Sequence, residues 1–159
     1  MIKLATKSVD DTRALAAEIA ALAAPGDLLV LAGDLGTGKT AFAQGFARGL
    51  GVDEPVTSPA FILVRTYEGR LPMVHLDVYR LDTMQELVDL GIAELLDEGA
   101  VTLVEWGDAV TPALPADFLE VRLESTESPD DRLLTVRSVG PAWPPRADAL
   151  KRALAPWTV

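Results

Sequence analysis

Eight residues constrain this chain more than any others: Gly33-Asp34-Leu35-Gly36-Thr37-Gly38-Lys39-Thr40 match the pattern G-x-x-x-x-G-K-[S/T]. The pattern works only where a strand runs in and a helix runs out. Asp27-Leu28-Leu29-Val30-Leu31 precedes it as a buried-strand sequence, and Lys39 to Leu50 follows with helical spacing. The glycines let the backbone wrap closely and turn its N–H groups inward. Together with the N-terminus of the following helix they form an anion cradle. In that arrangement Lys39 reaches the β- and γ-phosphates of a triphosphate, and the Thr40 hydroxyl binds Mg²⁺. Asp34, Leu35, Gly36, Thr37, Gly38, Lys39, Thr40 and Ala41 are therefore the nucleotide-binding segment, with ATP as the expected ligand. A glycine-rich turn with a surface lysine is the competing reading. A chance match in a chain of this length is roughly one in two hundred, and the flanking strand and helix favour the cradle.

The rest of the chain supplies the frame. Ile2–Thr6 reads as a short edge strand. Ser8 caps a helix whose apolar positions Leu15, Ile19 and Leu22 recur up to Pro25-Gly26. Phe61–Tyr67 and Pro72–Val78 read as a hairpin around Glu68-Gly69-Arg70. Thr83 caps a helix through Leu90, which Ile92–Leu96 extends or follows. Val101–Val104 is a short strand, and Leu119–Leu123 with Leu133–Val139 a final hairpin. Gly140 to Pro145 breaks the chain before a helix over Arg146–Leu154. Alternating strands and helices indicate an α/β fold: a single P-loop NTPase-type domain over residues 1–159, its sheet mixed but mainly parallel and flanked by helices. Residues from about 140 to 159 form a Pro-rich break and helix.

Composition narrows the function classes. The 159 residues carry 14 basic and 24 acidic side chains, a net charge of −10, which disfavours direct binding to a phosphate backbone. Without cysteine and with only His75 as an imidazole, the chain has no thiolate or histidine-cluster metal site. The N-terminal stretch lacks the apolar run of a signal peptide, and no apolar run is long enough for a membrane span. The expected location is cytoplasmic, with no membrane partner.

A phosphate loop needs a carboxylate near its metal, usually at the end of an apolar strand. Met73-Val74-His75-Leu76-Asp77 and Val101-Thr102-Leu103-Val104-Glu105 each end on one. If both strands lie beside the loop strand, one acid holds Mg²⁺ through water and the other orients the attacking water; the pattern does not say which. Thr57 and Ser58 stand where a switch loop would sense the γ-phosphate. Tyr79, Arg80 and Trp106 follow the two acids as switch or partner candidates, while His75 reads as packing within its strand.

The loop, then Ser58-Pro59-Ala60-Phe61, His75-Leu76-Asp77-Val78-Tyr79-Arg80-Leu81 and Val104-Glu105-Trp106, resemble the TsaE (YjeE) family in order and spacing, from about Thr12 to Arg132. The resemblance implies an ATPase of bacterial tRNA threonylcarbamoyladenosine biosynthesis. Such a protein binds ATP and Mg²⁺, hydrolyses ATP to ADP slowly alone, and docks on the TsaB–TsaD pair. It would meet tRNA only indirectly, through that complex. It also implies roles: catalytic Lys39, Asp77 and Glu105, Mg²⁺ ligands Thr40 and Glu105, and nucleotide contacts at Thr12 and Arg132. Ala60 stands where the family usually has threonine, and Gly107 where proline is frequent. Three alternatives use the same loop. Arg65, Arg70 and Arg80 could clamp the phosphoryl acceptor of a small-molecule kinase. A GTPase lacks support, since no Asn-Lys-x-Asp segment is present. A nucleotide-gated interaction module would need binding without turnover.

Overall fold

The computed structural model describes residues 1–57, 64–78, 89, 91–105 and 111–159. Its helices are α1 (Val9–Ala20), α2 (Lys39–Gly49), α3 (Ile92–Asp97) and α4 (Ala147–Leu154). Its strands are β1 (Ile2–Thr6), β2 (Leu28–Ala32), β3 (Val64–Glu68), β4 (Pro72–Asp77), β5 (Val101–Glu105), β6 (Phe118–Ser125) and β7 (Arg132–Val139).

The strands join in one sheet of order β1-β7-β6-β2-β5-β4-β3. Parallel ladders join β6 to β2, β2 to β5 and β5 to β4 at the centre. Antiparallel ladders add β7 and β1 at one side and β3 at the other. Five strands share one direction, so the sheet is mixed with a parallel majority, as expected. β2, at the centre, is buried at all five positions. A strand covered on both faces must be apolar throughout, which is why Leu28-Leu29-Val30-Leu31-Ala32 shows no alternation.

Period-two alternation sorts the core. Leu29, Leu31, Met73, Val101, Leu103 and Val121 pack on the face that carries α1, α2 and α4. Val30, Val74, Leu76 and Val104 pack on the opposite face, with Ile92 of α3. α1 starts where Ser8, in extended conformation, accepts a 3.0 Å hydrogen bond from the Asp11 backbone N–H, with Asp10 and Asp11 in the first turn. Past its end, Arg70 donates through Nη2 to the carbonyls of Ala20 and Ala23. That guanidinium caps a helix, which weakens the kinase reading that assigned it to an acceptor.

The helix before the C-terminus begins at Ala147 rather than Arg146, because Pro144–Arg146 form a 3₁₀ turn first. Arg146 instead makes a fork to Asp27, at 2.6 and 2.8 Å, and lies 3.8 Å over the ring of buried Trp143. The chain then returns to β1: Leu4 bridges Thr158, and Trp157 donates to Asp11 at 2.7 Å. Among the described residues, no helix is long and apolar enough to cross a membrane.

Candidate functional site

β2 ends at the middle of the sheet, and the loop begins at once. Gly33 has φ 145°, and a Cβ there would sit 2.5 Å from the Leu123 carbonyl oxygen and 2.7 Å from Thr37 Oγ1. Only glycine fits between β2 and β6 at that point. Gly36 (φ 82°) and Gly38 (φ 105°) also adopt left-handed backbone, so three residues of the eight turn the main chain in a way side chains resist. Gly38 occupies the N-cap of α2 and offers no side-chain acceptor to the helix. The first N–H groups of α2 are thus left for an anion, as a phosphate cradle requires.

Within the loop, Thr37 Oγ1 donates to the Asp34 carbonyl at 2.9 Å. The Lys39 ammonium is buried and donates to the carbonyls of Gly33 and Asp34, at 2.7 and 2.8 Å. It therefore already lies inside the loop it would share with phosphates. Asp34, Leu35 and Gly36 are exposed at the tip, and Thr40 and Ala41 are half-buried at the start of α2.

Register brings in the acids. Glu105 pairs with Leu31 of β2 on one side and with Asp77 of β4 on the other. Both carboxylates therefore stand at the C-terminal ends of neighbouring strands; β5, with Glu105, lies beside the strand that feeds the loop, while β4, with Asp77, is one strand further out rather than beside β2 as expected. Alternation from Leu103 and Met73 places both on the face that α2 covers. Both are nearly buried, at 6% and 3% exposure, an unusual place for acids that must each find a counter-charge or hydrogen-bond partner. His75, two residues before Asp77 and on the same face, is fully buried, and its Nε2 lies 2.5 Å from Glu105 Oε2. It is a partner of the acid rather than packing alone, contrary to the expectation from sequence. Spacing on one strand puts residues 75 and 77 on one face; only the register with Glu105 reveals the contact.

Arg132, from β7, crosses to the loop. Its Nε donates to the Thr37 carbonyl at 3.0 Å and its Nη2 to the Gly36 carbonyl at 3.3 Å. Thr12 is buried in the first turn of α1 and hydrogen-bonds through Oγ1 to Thr6 Oγ1 at 2.8 Å; Thr6 is in turn the register partner of Arg132. Thr12 and Arg132 thus belong to one edge of the loop's surroundings, Arg132 in contact with it and Thr12 one residue removed. Thr57 is exposed. Ser58, Tyr79, Arg80 and Trp106 lie outside the described residues, as do Ala60, Gly107 and all but Asp89 of the helix expected from Thr83 through Leu90.

A cleft of about 360 Å³ runs along Gly33, Asp34 and Thr37 and is walled by Arg122 to Ser125 of β6. A larger one, about 470 Å³, lies between Arg13, Arg48 and residues 52–56. The larger one has no loop of inward N–H groups, so volume does not locate the site; the loop chemistry does.

The residues fit a magnesium triphosphate. Mg²⁺ keeps several waters and takes one or two carboxylates along with the phosphates, so it needs no preformed cage of protein ligands. Among the described residues there is no group of three or more acidic, His or Cys side chains that could hold a metal ion. What is present is a hydroxyl at Thr40, carboxylates at Glu105 and Asp77, and a lysine in a loop of N–H groups.

Known proteins share this arrangement of sequence and fold. The family model described as threonylcarbamoyl adenosine biosynthesis protein TsaE matches residues 6–134. The tRNA threonylcarbamoyladenosine biosynthesis protein TsaE of Bacillus subtilis is 40% identical over 152 residues, covering 95% of this chain and 94% of that protein. Its counterpart of the same name in Treponema pallidum is 39% identical over 122 residues, covering 77% and 90%. Among solved structures, Bacillus subtilis YdiB superposes with a TM-score of 0.79 at 36% identity, over 98% of this chain and 97% of that one.

Proposed function

This chain belongs to the TsaE family, and from that premise we propose that it is an ATP-binding, Mg²⁺-dependent ATPase required for tRNA N6-threonylcarbamoyladenosine formation. In this reading it acts with the TsaB–TsaD pair. The observation that carries the reading is the register that pairs Asp77 of β4 with Glu105 of β5, the strand next to β2. Two nearly buried carboxylates next to a lysine-bearing anion loop suit a bound metal triphosphate and have no use in a plain glycine turn. The relatives' names supply the process.

In this reading the labour divides among the residues around the loop. Backbone N–H groups of the loop and the start of α2 bind phosphate oxygens, and Lys39 neutralises charge that grows on them as the terminal phosphoryl group departs. Thr40 and Glu105 would hold Mg²⁺, which when bound supplies further charge neutralisation at the phosphates. Asp77 is the acid left to orient the attacking water and take up its proton as ADP and phosphate form. Arg132 holds the loop by its carbonyls, so the N–H groups keep facing inward. A chain of net charge −10 is suited to reaching tRNA through its partners rather than directly.

The test is the rate of ATP hydrolysis alone and with purified TsaB–TsaD, using Lys39→Ala as control. A slow rate that changes when the pair is added and vanishes in the variant supports the proposal. Bound nucleotide with no response to the pair would overturn the partner assignment, and an unchanged rate in Lys39→Ala would overturn the site.

A further inference from the structure

Position 75 is a poor place for a histidine if stability alone decides. It lies mid-strand between Val74 and Leu76, with no exposed surface. Its Nδ1 has no hydrogen-bond partner among the described residues. An apolar residue would pack there without an unpaired buried polar atom, whose burial is unfavourable. What the imidazole does have is Glu105: Nε2 meets Oε2 across 30 residues of sequence. With Nδ1 unpartnered, Nε2 is the ring nitrogen placed to donate a hydrogen to the carboxylate.

We propose that His75 is a positioning residue for Glu105, holding one carboxylate oxygen through Nε2–H so that the acid is presented to Mg²⁺ in a single orientation. This rests on the reading of Glu105 as the metal-side carboxylate. A glutamate has three side-chain torsions, and its carboxylate, left unheld, would sample several directions at the strand end. Ligating carboxylates are ordinarily steadied by such an outer partner, and loss of that partner weakens metal binding without removing a ligand. The ring sits on the α2 face of β4, with its residue in register with Leu103 of β5.

The experiment compares variants that keep or lose the donor at similar volume. His75→Gln places an amide N–H about where Nε2 lies; His75→Met and His75→Leu remove it. Each is titrated with Mg²⁺ while binding of methylanthraniloyl-ATP is followed by fluorescence, and affinity is measured again in chelator. The donor-free variants are expected to need about 10–100-fold more Mg²⁺ to reach half-effect, with His75→Gln within about threefold of the parent and chelator affinities within about twofold throughout. A packing role predicts the reverse order, with the polar glutamine the worst in that apolar strand. Equal Mg²⁺ midpoints in all variants, or equal shifts in Gln and Met, overturn the proposal. Glu105→Ala is the reference. If it leaves the midpoint unmoved, the metal reading of Glu105 falls and takes this proposal with it, an outcome recognisable because no His75 variant is involved. Whichever of Met and Leu retains the parent's circular dichroism spectrum is the one read.

Discussion

At the scale of single residues, Gly33 and Lys39 do different work in the same loop and should fail differently. Gly33→Ala puts a methyl group into the Leu123 carbonyl and Thr37 Oγ1, at a φ that L-residues avoid. The loop must shift to relieve it, and strain of about 1–3 kcal/mol there corresponds to roughly 5- to 150-fold in affinity. Triphosphate and diphosphate should lose affinity alike in this variant, because it distorts the whole cradle. Lys39→Ala introduces no clash but removes one buried cation and its hydrogen bonds to the Gly33 and Asp34 carbonyls, so triphosphate should lose about a hundredfold while diphosphate loses less. Isothermal titration with ATP and ADP on both variants separates the two, and equal losses in Lys39→Ala would show that the ammonium does not serve the terminal phosphate. These loop roles are legible in sequence because they are local: eight consecutive residues carry the geometry. The partners of the loop are not. Arg132 reaches Thr37 from 95 residues away and His75 meets Glu105 only through the β4–β5 register, so neither contact leaves a mark on its own neighbourhood in the chain.

At the scale of elements, the seam between α1 and α2 sets where the loop's helix lies. A Cβ on Gly45 would fall onto the backbone carbonyl of Arg13, and one on Gly49 would come 2.7 Å from the Ala17 carbonyl oxygen and from the Ala20 Cβ. Two glycines four residues apart thus line one stripe of α2 and let the helices approach to backbone contact. Gly45→Ala improves helix propensity by about 1 kcal/mol, but the clash is with main chain, which cannot rotate away. The net effect should be destabilisation of about 1–3 kcal/mol, read as a lower urea midpoint at unchanged slope. Most elements were readable in advance to within a residue or two, since β2's apolar run, the Ser8 cap and the hairpin turn expected at Glu68-Gly69-Arg70 and found at 69–71 are local signals. The closeness of α1 and α2 was not, because a glycine inside a helix signals weakness by propensity and reveals its packing role only against the partner helix. The sheet order was hidden for the same reason: β2 lies between β5 and β6, strands that follow it by some seventy residues or more.

Over the whole molecule, stability and chemistry sit at opposite ends of the sheet. The phosphate loop and both acids lie where the parallel strands finish. Asp27 lies where β2 begins, held by the Arg146 fork, and that fork ties the chain after Pro144 to the core through Trp143. No sequence pattern assigned residues 140–159 a part, because their partners Leu4, Asp11 and Asp27 are more than a hundred residues earlier. Five strand residues separate Asp27 from the loop, a distance of about 17 Å at strand rise, beyond the range at which substitutions usually couple. Arg146→Ala leaves a carboxylate with 4% side-chain exposure without its cation. Breaking a buried pair on one side costs about 3–5 kcal/mol, and the 21% exposure of Arg146 lets water soften that to about 2–4 kcal/mol. Asp27 keeps its acceptance from the Ala24 N–H at 2.8 Å, which limits the loss further. Arg146→Lys should fall between, since an ammonium restores charge but not the two-pronged geometry. Urea unfolding should therefore rank parent, lysine and alanine in that order, while the affinity for magnesium ATP at low denaturant stays within about twofold across all three. A fall in nucleotide affinity that tracks the fall in stability would mean that the C-terminal segment and the phosphate loop are one cooperative unit, and that the separation along β2 does not insulate the site.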